Sequence, residues 1–296
     1  MSGSLPAVAF AGIGLMGLPM TRRLLAAGYP LTVWNRSPDK CQPLLEAGAR
    51  AVNSPAQLCD DAEIIMLCLA DTSVVRGVVF GPGGIVEKAK PGQLLVDFSS
   101  LEPSATRQMA AELEQRTGMR WVDAPVSGGT PGAENGTLAI MAGGRVEDIE
   151  RVRPLLDNLG QRLTRMGDVG AGQVTKVCNQ MIVACNALVI AEVVALAEKS
   201  GVDATLIASA LAGGFADSKP LQILAPQMAS SEFEPIKWHV RTLLKDLDTA
   251  VKLSRETASS TPATGLAAQL MRLHASQGNA ARDPSTLIEM YREPKA

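Results

Sequence analysis

Short apolar runs alternate with helix-patterned stretches through the first half of the chain. Residues 7–11 read as a buried strand, and the helical pattern from about Leu18 to Ala27 stops at Gly28. Leu31 to Trp34 gives the next strand, and NRSPDK supplies a turn and a second helix start. Ile64 to Leu69, IIMLCL, is apolar throughout, as a strand covered on both faces must be. Gln93 to Phe98 repeats that pattern, Glu102 to Glu114 is helical, and Arg120 to Asp123 and Leu138 to Met141 are further strands. Strand, turn, helix and strand in that order make βαβ units, so the sheet is expected to be mostly parallel with helices on both faces.

The pattern changes at MGDVGAGQ. From Val174 to Glu198 there is little strand signal and no proline, which predicts one long helix with Gly201 just beyond it. Helices broken by AGGFADSKP and SSTP fill the rest. The expected organisation is an α/β domain over residues 1–168 and an all-α domain over 169–296, joined through a long helix at about 173–200.

Composition removes alternatives. With 46% hydrophobic and 20% charged residues in 296, the chain is neither disordered nor collagen-like and can bury a sizeable core. Twenty-eight basic against thirty acidic residues, a net charge of -2, argue against a strongly basic nucleic-acid binder. The five cysteines (Cys41, Cys59, Cys68, Cys178 and Cys185) are odd in number and form no CxxC pair, so neither a disulfide framework nor a cysteine zinc site is expected. His239 and His274 are too few for a histidine-rich metal site and are expected at the surface. Met1 to Pro6 lacks the positive region of a signal peptide. Met181 to Ala197 is short for a membrane span and carries Asn186 and Glu192, so a buried helix is expected. These absences point to the cytoplasm, with no metal, membrane or nucleic-acid partner.

Gly12, Gly14 and Gly17 form GxGxxG directly after the first strand. Gly12 suits the tight turn, Gly14 leaves room for a pyrophosphate, and Gly17 lets helix and strand pack closely. Amides at the helix start, around Ile13, Leu15 and Met16, would face the phosphates. The pattern predicts a Rossmann domain; a glycine turn used only for packing is the other reading. At the end of the second strand, NAD binding would call for an acidic residue. The chain has Asn35, Arg36 and Ser37 instead, with Lys40 one turn onward. The Arg36 guanidinium fork can pair with a 2′-phosphate, Asn35 and Ser37 can add hydrogen bonds and Lys40 charge. NADP(H) is therefore the preferred cofactor, with NAD(H) possible. Asp39 keeps open the reading of a solvated helix start. Leu69 and Ala70 end the third strand and are placed along the cofactor cleft. Ser99 and Ser100 follow the next strand, placed at the nicotinamide-side ribose or serving as ordinary turn caps.

Asp123 to Gly129 reads DAPVSGG. Ser127 offers a hydroxyl, and Gly128 and Gly129 let amides approach a carboxylate, so the loop suits an anionic substrate; a plain tight turn is the alternative. In GAGQVTKVCNQ, Gly170 and Gly172 precede a helix carrying Lys176, Asn179 and Gln180. Their spacing puts both amides near the lysine's face. A lysine there can protonate a developing alkoxide and take the proton back in reverse, with Asn179 or Gln180 orienting the oxygen or the amine. Lys245, Asp246 and Asp248 read, by pattern alone, as an exposed helical charge pair.

These segments together resemble the β-hydroxyacid dehydrogenase family, which includes 3-hydroxyisobutyrate dehydrogenase and tartronate semialdehyde reductase. FAGIGLMGLPM, DAPVSGGTPGAENGTL, GAGQVTKVCNQ and KDLDTA carry the resemblance over nearly the whole chain, the two central segments being the more specific. The resemblance implies a Rossmann domain, a connecting helix, a helical domain and a homodimer or homotetramer. It implies nicotinamide-dependent interconversion of a small β-hydroxyacid with its oxo-acid or semialdehyde, domain closure excluding water. Lys176 matches the family's essential lysine, and Ser127, Gly128 and Gly129 match the loop that receives the substrate carboxylate. Lys245 matches a lysine near the nicotinamide, and Asp246 its acidic neighbour on the substrate side. Where the family often carries Lys-x-x-Asn-Asn, this chain has Asn179–Gln180, which leaves open the amide that faces substrate. That region is similar to tartronate semialdehyde (2-hydroxy-3-oxopropionate) reductases, and the NRS segment to NADP-preferring glyoxylate and succinic semialdehyde reductases. The expected reaction is NADPH-dependent reduction of tartronate semialdehyde to glycerate, with Lys176 moving the proton. Glyoxylate or succinic semialdehyde reduction and 3-hydroxyisobutyrate oxidation are alternatives, as is imine or other carbonyl reduction on the same scaffold. A non-catalytic NADP-binding sensor or interaction protein is the alternative from a different class.

Overall fold

A computed structural model describes residues 5–293, so of the stretch read for a signal peptide residues 1–4 lie outside the described residues. In chain order the elements are β1 (Val8–Ala11), α1 (Gly17–Ala26), β2 (Leu31–Trp34), α2 (Gln42–Leu45), β3 (Arg50–Ala51), β4 (Ile64–Leu67), α3 (Thr72–Phe80), β5 (Leu94–Asp97), α4 (Pro103–Thr117), β6 (Arg120–Asp123), β7 (Val126–Ser127), α5 (Gly129–Asn135), β8 (Leu138–Gly143), α6 (Val146–Leu156) and β9 (Gly160–Gly167). Helices follow: α7 (Ala171–Lys199), α8 (Ile207–Leu211), α9 (Lys219–Ser230), α10 (Val240–Glu256) and α11 (Pro262–His274). The chain forms two compact units that divide between Lys176 and Val177, within α7 and beyond the boundary expected at 168.

In the first unit the strands stand in the order β3-β2-β1-β4-β5-β6, all parallel. Beyond them β8 runs antiparallel to β6 and β7 and parallel to β9. This is the Rossmann arrangement read from the sequence, and the second unit is largely helical. The apolar runs explain the sheet. Val8, Phe10, Ile64, Met66, Leu94 and Val96 enter one core layer. Their neighbours Ala9, Ala11, Ile65, Leu67 and Leu95 enter the opposite layer, so both faces are covered. Each fully buried large aliphatic side chain contributes about 1.5–3 kcal/mol. β9 was not expected: GQRLTRMG is mostly exposed, and an edge strand facing water carries no apolar run to read.

In the second unit α7 turns Ala184, Ala187, Leu188, Ala191, Val194 and Ala195 into a core shared with Leu224, Met228, Leu247 and Met271. The expectation of a buried helix holds for one face only. Ile182, Val189 and Leu196 are 64%, 54% and 68% exposed. By length and composition alone α7 is apolar enough to cross a membrane, with a mean hydropathy of 2.0 in its most apolar window. His274 departs from the surface placement expected for it. It is buried, with Nε2 2.9 Å from the Thr286 hydroxyl, and burial lowers its pKa.

Candidate active site

The glycine turn leaves β1 where the order of the strands reverses, with β2 on one side and β4 on the other. Its three glycines meet different surroundings. A Cβ on Gly12, whose φ is +103°, would stand 2.2 Å from the Cys68 carbonyl oxygen. One on Gly17 would stand 1.9 Å from the Gly12 carbonyl oxygen. At Gly14 nothing lies within 4 Å of that position. Gly12 and Gly17 therefore close the turn, and Gly14 leaves the backbone open from above. No side chain caps the start of α1, and no acidic residue stands in its first turn. Backbone amides and the positive end of the helix dipole thus face outward, and the cradle fits a dinucleotide pyrophosphate.

The residues expected around this turn separate into two groups. Asn35 serves the scaffold: its Oδ1 accepts from the Ile13 N–H at 3.0 Å and its Nδ2 donates to the Ser37 carbonyl at 2.9 Å. Both Asn35 and the Ile13 amide thus have partners inside the protein, which ties the end of β2 to the glycine turn. Arg36, Ser37 and Lys40 are exposed beside them, as is Leu15, while Met16 is half-buried. Ser99 also turns inward. It is buried, and its hydroxyl accepts from the Leu69 N–H at 2.9 Å, so it does not reach out toward a ribose. Leu69 and Ser100 are half-buried and Ala70 is exposed. A groove of about 910 Å³ brings Gly14 and Leu15 together with Lys40 and Arg22 along α1, without Arg36, Leu69, Ala70 or Ser100.

The chemistry gathers where β6 hands over to β7 and α7 begins. Gly128 and Gly129 have φ of +139° and +63°, conformations open to glycine, which bend the chain sharply after Ser127. Ser127 pairs with Ala139 of β8. One residue before it, the Val126 carbonyl accepts a 2.9 Å hydrogen bond from Lys176 Nζ. Lys176 thus holds its ammonium against the loop read as the carboxylate site.

Sequence reasoning passed over two acids beneath this site, Asp97 and Asp123, paired across β5 and β6 and both fully buried. Their signal was available: Asp97 closes the apolar run Leu94–Val96, and Asp123 follows the buried Trp121 and Val122. Asp123 accepts the N–H groups of Gly170 and Gln173 at 2.7 and 2.8 Å, which anchors the start of α7. Burial pushes its pKa up to about 6 against the pull of those amides. Asp97 accepts the Ser99 N–H at 2.9 Å, and its Oδ2 has no partner. Burial pushes Asp97 up to about 7, with the charge of Asp123 adding to the effect. A carboxyl whose pKa rises on folding contributes full stability below its unfolded pKa of about 4 and loses it as pH climbs through the folded value. Between pH 4 and 7 the melting temperature of the wild type should therefore fall relative to that of Asp97→Asn. Parallel pH-melting curves of the two proteins test this; identical slopes would refute it.

In the second unit four expected residues form a polar chain. Asn179 donates to Gln180 Oε1 at 2.9 Å, Gln180 donates to Asp246 Oδ2 at 2.5 Å, and Lys245 stands 3.3 Å from Asp246 Oδ1. Asp246 is buried and is no exposed charge pair, contrary to its pattern alone. Among the described residues no three His, Cys, Asp or Glu side chains gather closely enough to hold a metal ion.

Comparison with known proteins settles the family. Residues 7–167 match the NAD-binding domain of 6-phosphogluconate dehydrogenase, and residues 170–291 match the NAD-binding domain of NADP-dependent 3-hydroxyisobutyrate dehydrogenase. A 3-hydroxyisobutyrate dehydrogenase of Pseudomonas aeruginosa is 34% identical over 96% of this chain and 98% of its own. The chain belongs to the 3-hydroxyisobutyrate dehydrogenase-like family. It is an NAD(P)-dependent oxidoreductase. Another member, the 2-hydroxy-3-oxopropionate reductase of Escherichia coli, is 36% identical over 95% of each chain. The Mycobacterium tuberculosis 3-hydroxyisobutyrate dehydrogenase, solved with L-serine, superimposes with a TM-score of 0.88 at 29% identity, covering 98% of this chain and 100% of that one.

Proposed function

We propose that the protein interconverts a short 3-hydroxy acid and its semialdehyde, of the 3-hydroxyisobutyrate type, using NADP(H) in preference to NAD(H). The observation that carries the reading is the Lys176 ammonium held on the Val126 carbonyl, one residue before the Ser127–Gly129 loop. A bound reduced nicotinamide supplies a hydride to the substrate carbonyl carbon. Lys176 has three N–H donors, so one can stay on Val126 while another meets the substrate oxygen, stabilises the growing negative charge and releases its proton. In the oxidative direction the same nitrogen takes the proton. The Ser127 hydroxyl and the amides of Gly128 and Gly129 hold the carboxylate. Asn179, Gln180 and Asp246 orient the substrate, and Lys245 serves the nicotinamide side.

The tartronate semialdehyde reading has less behind it than the 3-hydroxyisobutyrate one. Relatives of both names match this chain end to end, and L-serine, the molecule in the Mycobacterium structure, is itself a 3-hydroxy acid. For the cofactor, Gly12, Gly14, Gly17 and the amides at Leu15 and Met16 hold the pyrophosphate, and Arg36, Ser37 and Lys40 take the 2′-phosphate. Leu69, Ala70 and Ser100 border the nicotinamide side. The bare stripe of Ile182, Val189 and Leu196 supports association into a homodimer or homotetramer.

Initial rates with 3-hydroxyisobutyrate, methylmalonate semialdehyde, tartronate semialdehyde, glyoxylate and succinic semialdehyde, each with both cofactors, test the reading. The first pair with NADP(H) should give the highest kcat/KM. Losing a charge-assisted phosphate contact costs about 1.5–3 kcal/mol, so Arg36→Ala should weaken NADPH use about 10- to 100-fold and leave NADH use nearly unchanged. A wild-type preference for NADH would defeat the 2′-phosphate assignment.

A further inference from the structure

Gln173 is an amide with no exposed surface, one turn before Lys176 on α7. Both polar atoms of its side chain are engaged. Oε1 accepts from the Leu101 N–H at 2.9 Å, and Nε2 donates to the Ser99 carbonyl at 2.8 Å. Its own N–H donates to Asp123 at 2.8 Å. Gln173 thus ties the start of α7 to the loop that leaves β5, and the Ser99 hydroxyl, accepting from the Leu69 N–H, ties that loop to the one that leaves β4. Those loops stand at the carboxyl ends of parallel strands, where a Rossmann sheet presents its ligands.

The lysine closes the circuit. Asp123 holds the start of α7, Lys176 reaches from α7 to Val126, and Val126 follows Asp123 along the chain. The surroundings leave no slack. A Cβ on Gly143 would stand 2.5 Å from Asp123 Oδ1, and one on Gly172 would stand 2.3 Å from the Met141 carbonyl oxygen. An apolar side chain of equal volume would fill the position of Gln173 but leave the buried Leu101 N–H and Ser99 carbonyl without this partner. A buried amide costs free energy unless each of its groups is paired in direction and distance, so its use here fixes orientation.

We infer that Gln173 is a positioning residue for catalysis: through Leu101 and Ser99 it registers the helix bearing Lys176 against the cofactor-side loops. The inference rests on the reading of Lys176 as the proton-transfer group. Both polar atoms of the Gln173 side chain bond backbone groups inside the protein, so its role is to set where the amine stands. Releasing it lets the helix start shift against the loops while the glycine turn stays intact. The proton-coupled step then slows, and dinucleotide binding does not.

Full-length Gln173→Met and Gln173→Glu are compared with wild type at equal folded concentration. Met keeps the volume and removes both side-chain hydrogen bonds; Glu keeps an acceptor for Leu101 and serves if Met fails to fold. Turnover, KM for NADPH and the primary isotope effect with 4-deuterated NADPH are read for each. We expect kcat to fall at least about tenfold, KM for NADPH to change less than about twofold, and the isotope effect on kcat to rise as chemistry becomes rate-limiting. Wild-type kcat and isotope effect, with only the melting temperature lowered, would overturn the inference, because a merely structural role reduces the folded fraction and leaves the folded enzyme unchanged. Lys176→Ala is measured alongside. Its inactivity together with normal Gln173 variants would sink the positioning role alone; its full activity would sink the reading of Lys176 and the inference with it.

Discussion

Replacing Lys176 by alanine is expected to lower kcat for semialdehyde reduction about 10²- to 10⁴-fold, the range over which a positioned acid or base contributes. The cause is local. The Val126 carbonyl loses the ammonium that now donates to it at 2.9 Å, and the substrate oxygen loses both the positive charge and the proton source. The glycine cradle is built from β1, β4 and α1 and involves no atom of Lys176, so NADPH should bind as before. Fluorescence titration of NADPH beside steady-state turnover separates the two effects. Lys176→Arg should rescue little, because a guanidinium keeps its charge but does not give up a proton near neutral pH. Unchanged turnover in the alanine variant would remove the assigned proton-transfer role.

The glycine turn gives the second large effect, and it should divide by position. Gly12→Ala sets a Cβ 2.2 Å from a backbone oxygen and forces a side chain into φ +103°. Overpacking and left-handed strain each cost about 1–3 kcal/mol, so together they threaten much of a domain's stability. Gly17→Ala meets an even closer backbone oxygen, at 1.9 Å, and the helix start must move away from the turn. Both variants should melt well below wild type. Gly14→Ala should melt like wild type, since its Cβ meets nothing within 4 Å, yet lose dinucleotide affinity because the methyl occupies the space a pyrophosphate needs. Melting curves and NADPH titrations on the three variants check the division. A Gly14→Ala protein with wild-type affinity would show that the dinucleotide does not cross that backbone.

Legibility tracked how a residue's role is written along the chain. β4 and β5 could be read because burial on both faces demands uninterrupted apolar residues. β9 could not, since its residues meet water on an edge. At the site, GxGxxG and Lys176 stood out because their chemistry requires a residue type at a spacing. Asn35, Ser99 and Gln173 were opaque for the opposite reason. An amide or a hydroxyl serves a ligand and a buried backbone group equally well, and only the three-dimensional neighbours choose between them. In Asn35 and Ser99 the side chain pairs with a backbone N–H, which for Ser99 is the turn-cap alternative.

The amino-acid order by itself therefore determined the repeating strand–helix units, the glycine turn after the first strand, the long apolar helix and a lysine near its start. Each is a local demand: periodicity for burial, small size for close approach, an ionisable group for proton transfer. Only the tertiary structure decided that Asp97 and Asp123 would lie side by side beneath the site, and that Gln173 would join α7 to the loop after β5. It also decided that the Lys176 amine would rest on the Val126 carbonyl. Those partners are far apart in sequence, and only a parallel sheet that gathers its carboxyl ends at one edge brings them within hydrogen-bonding distance.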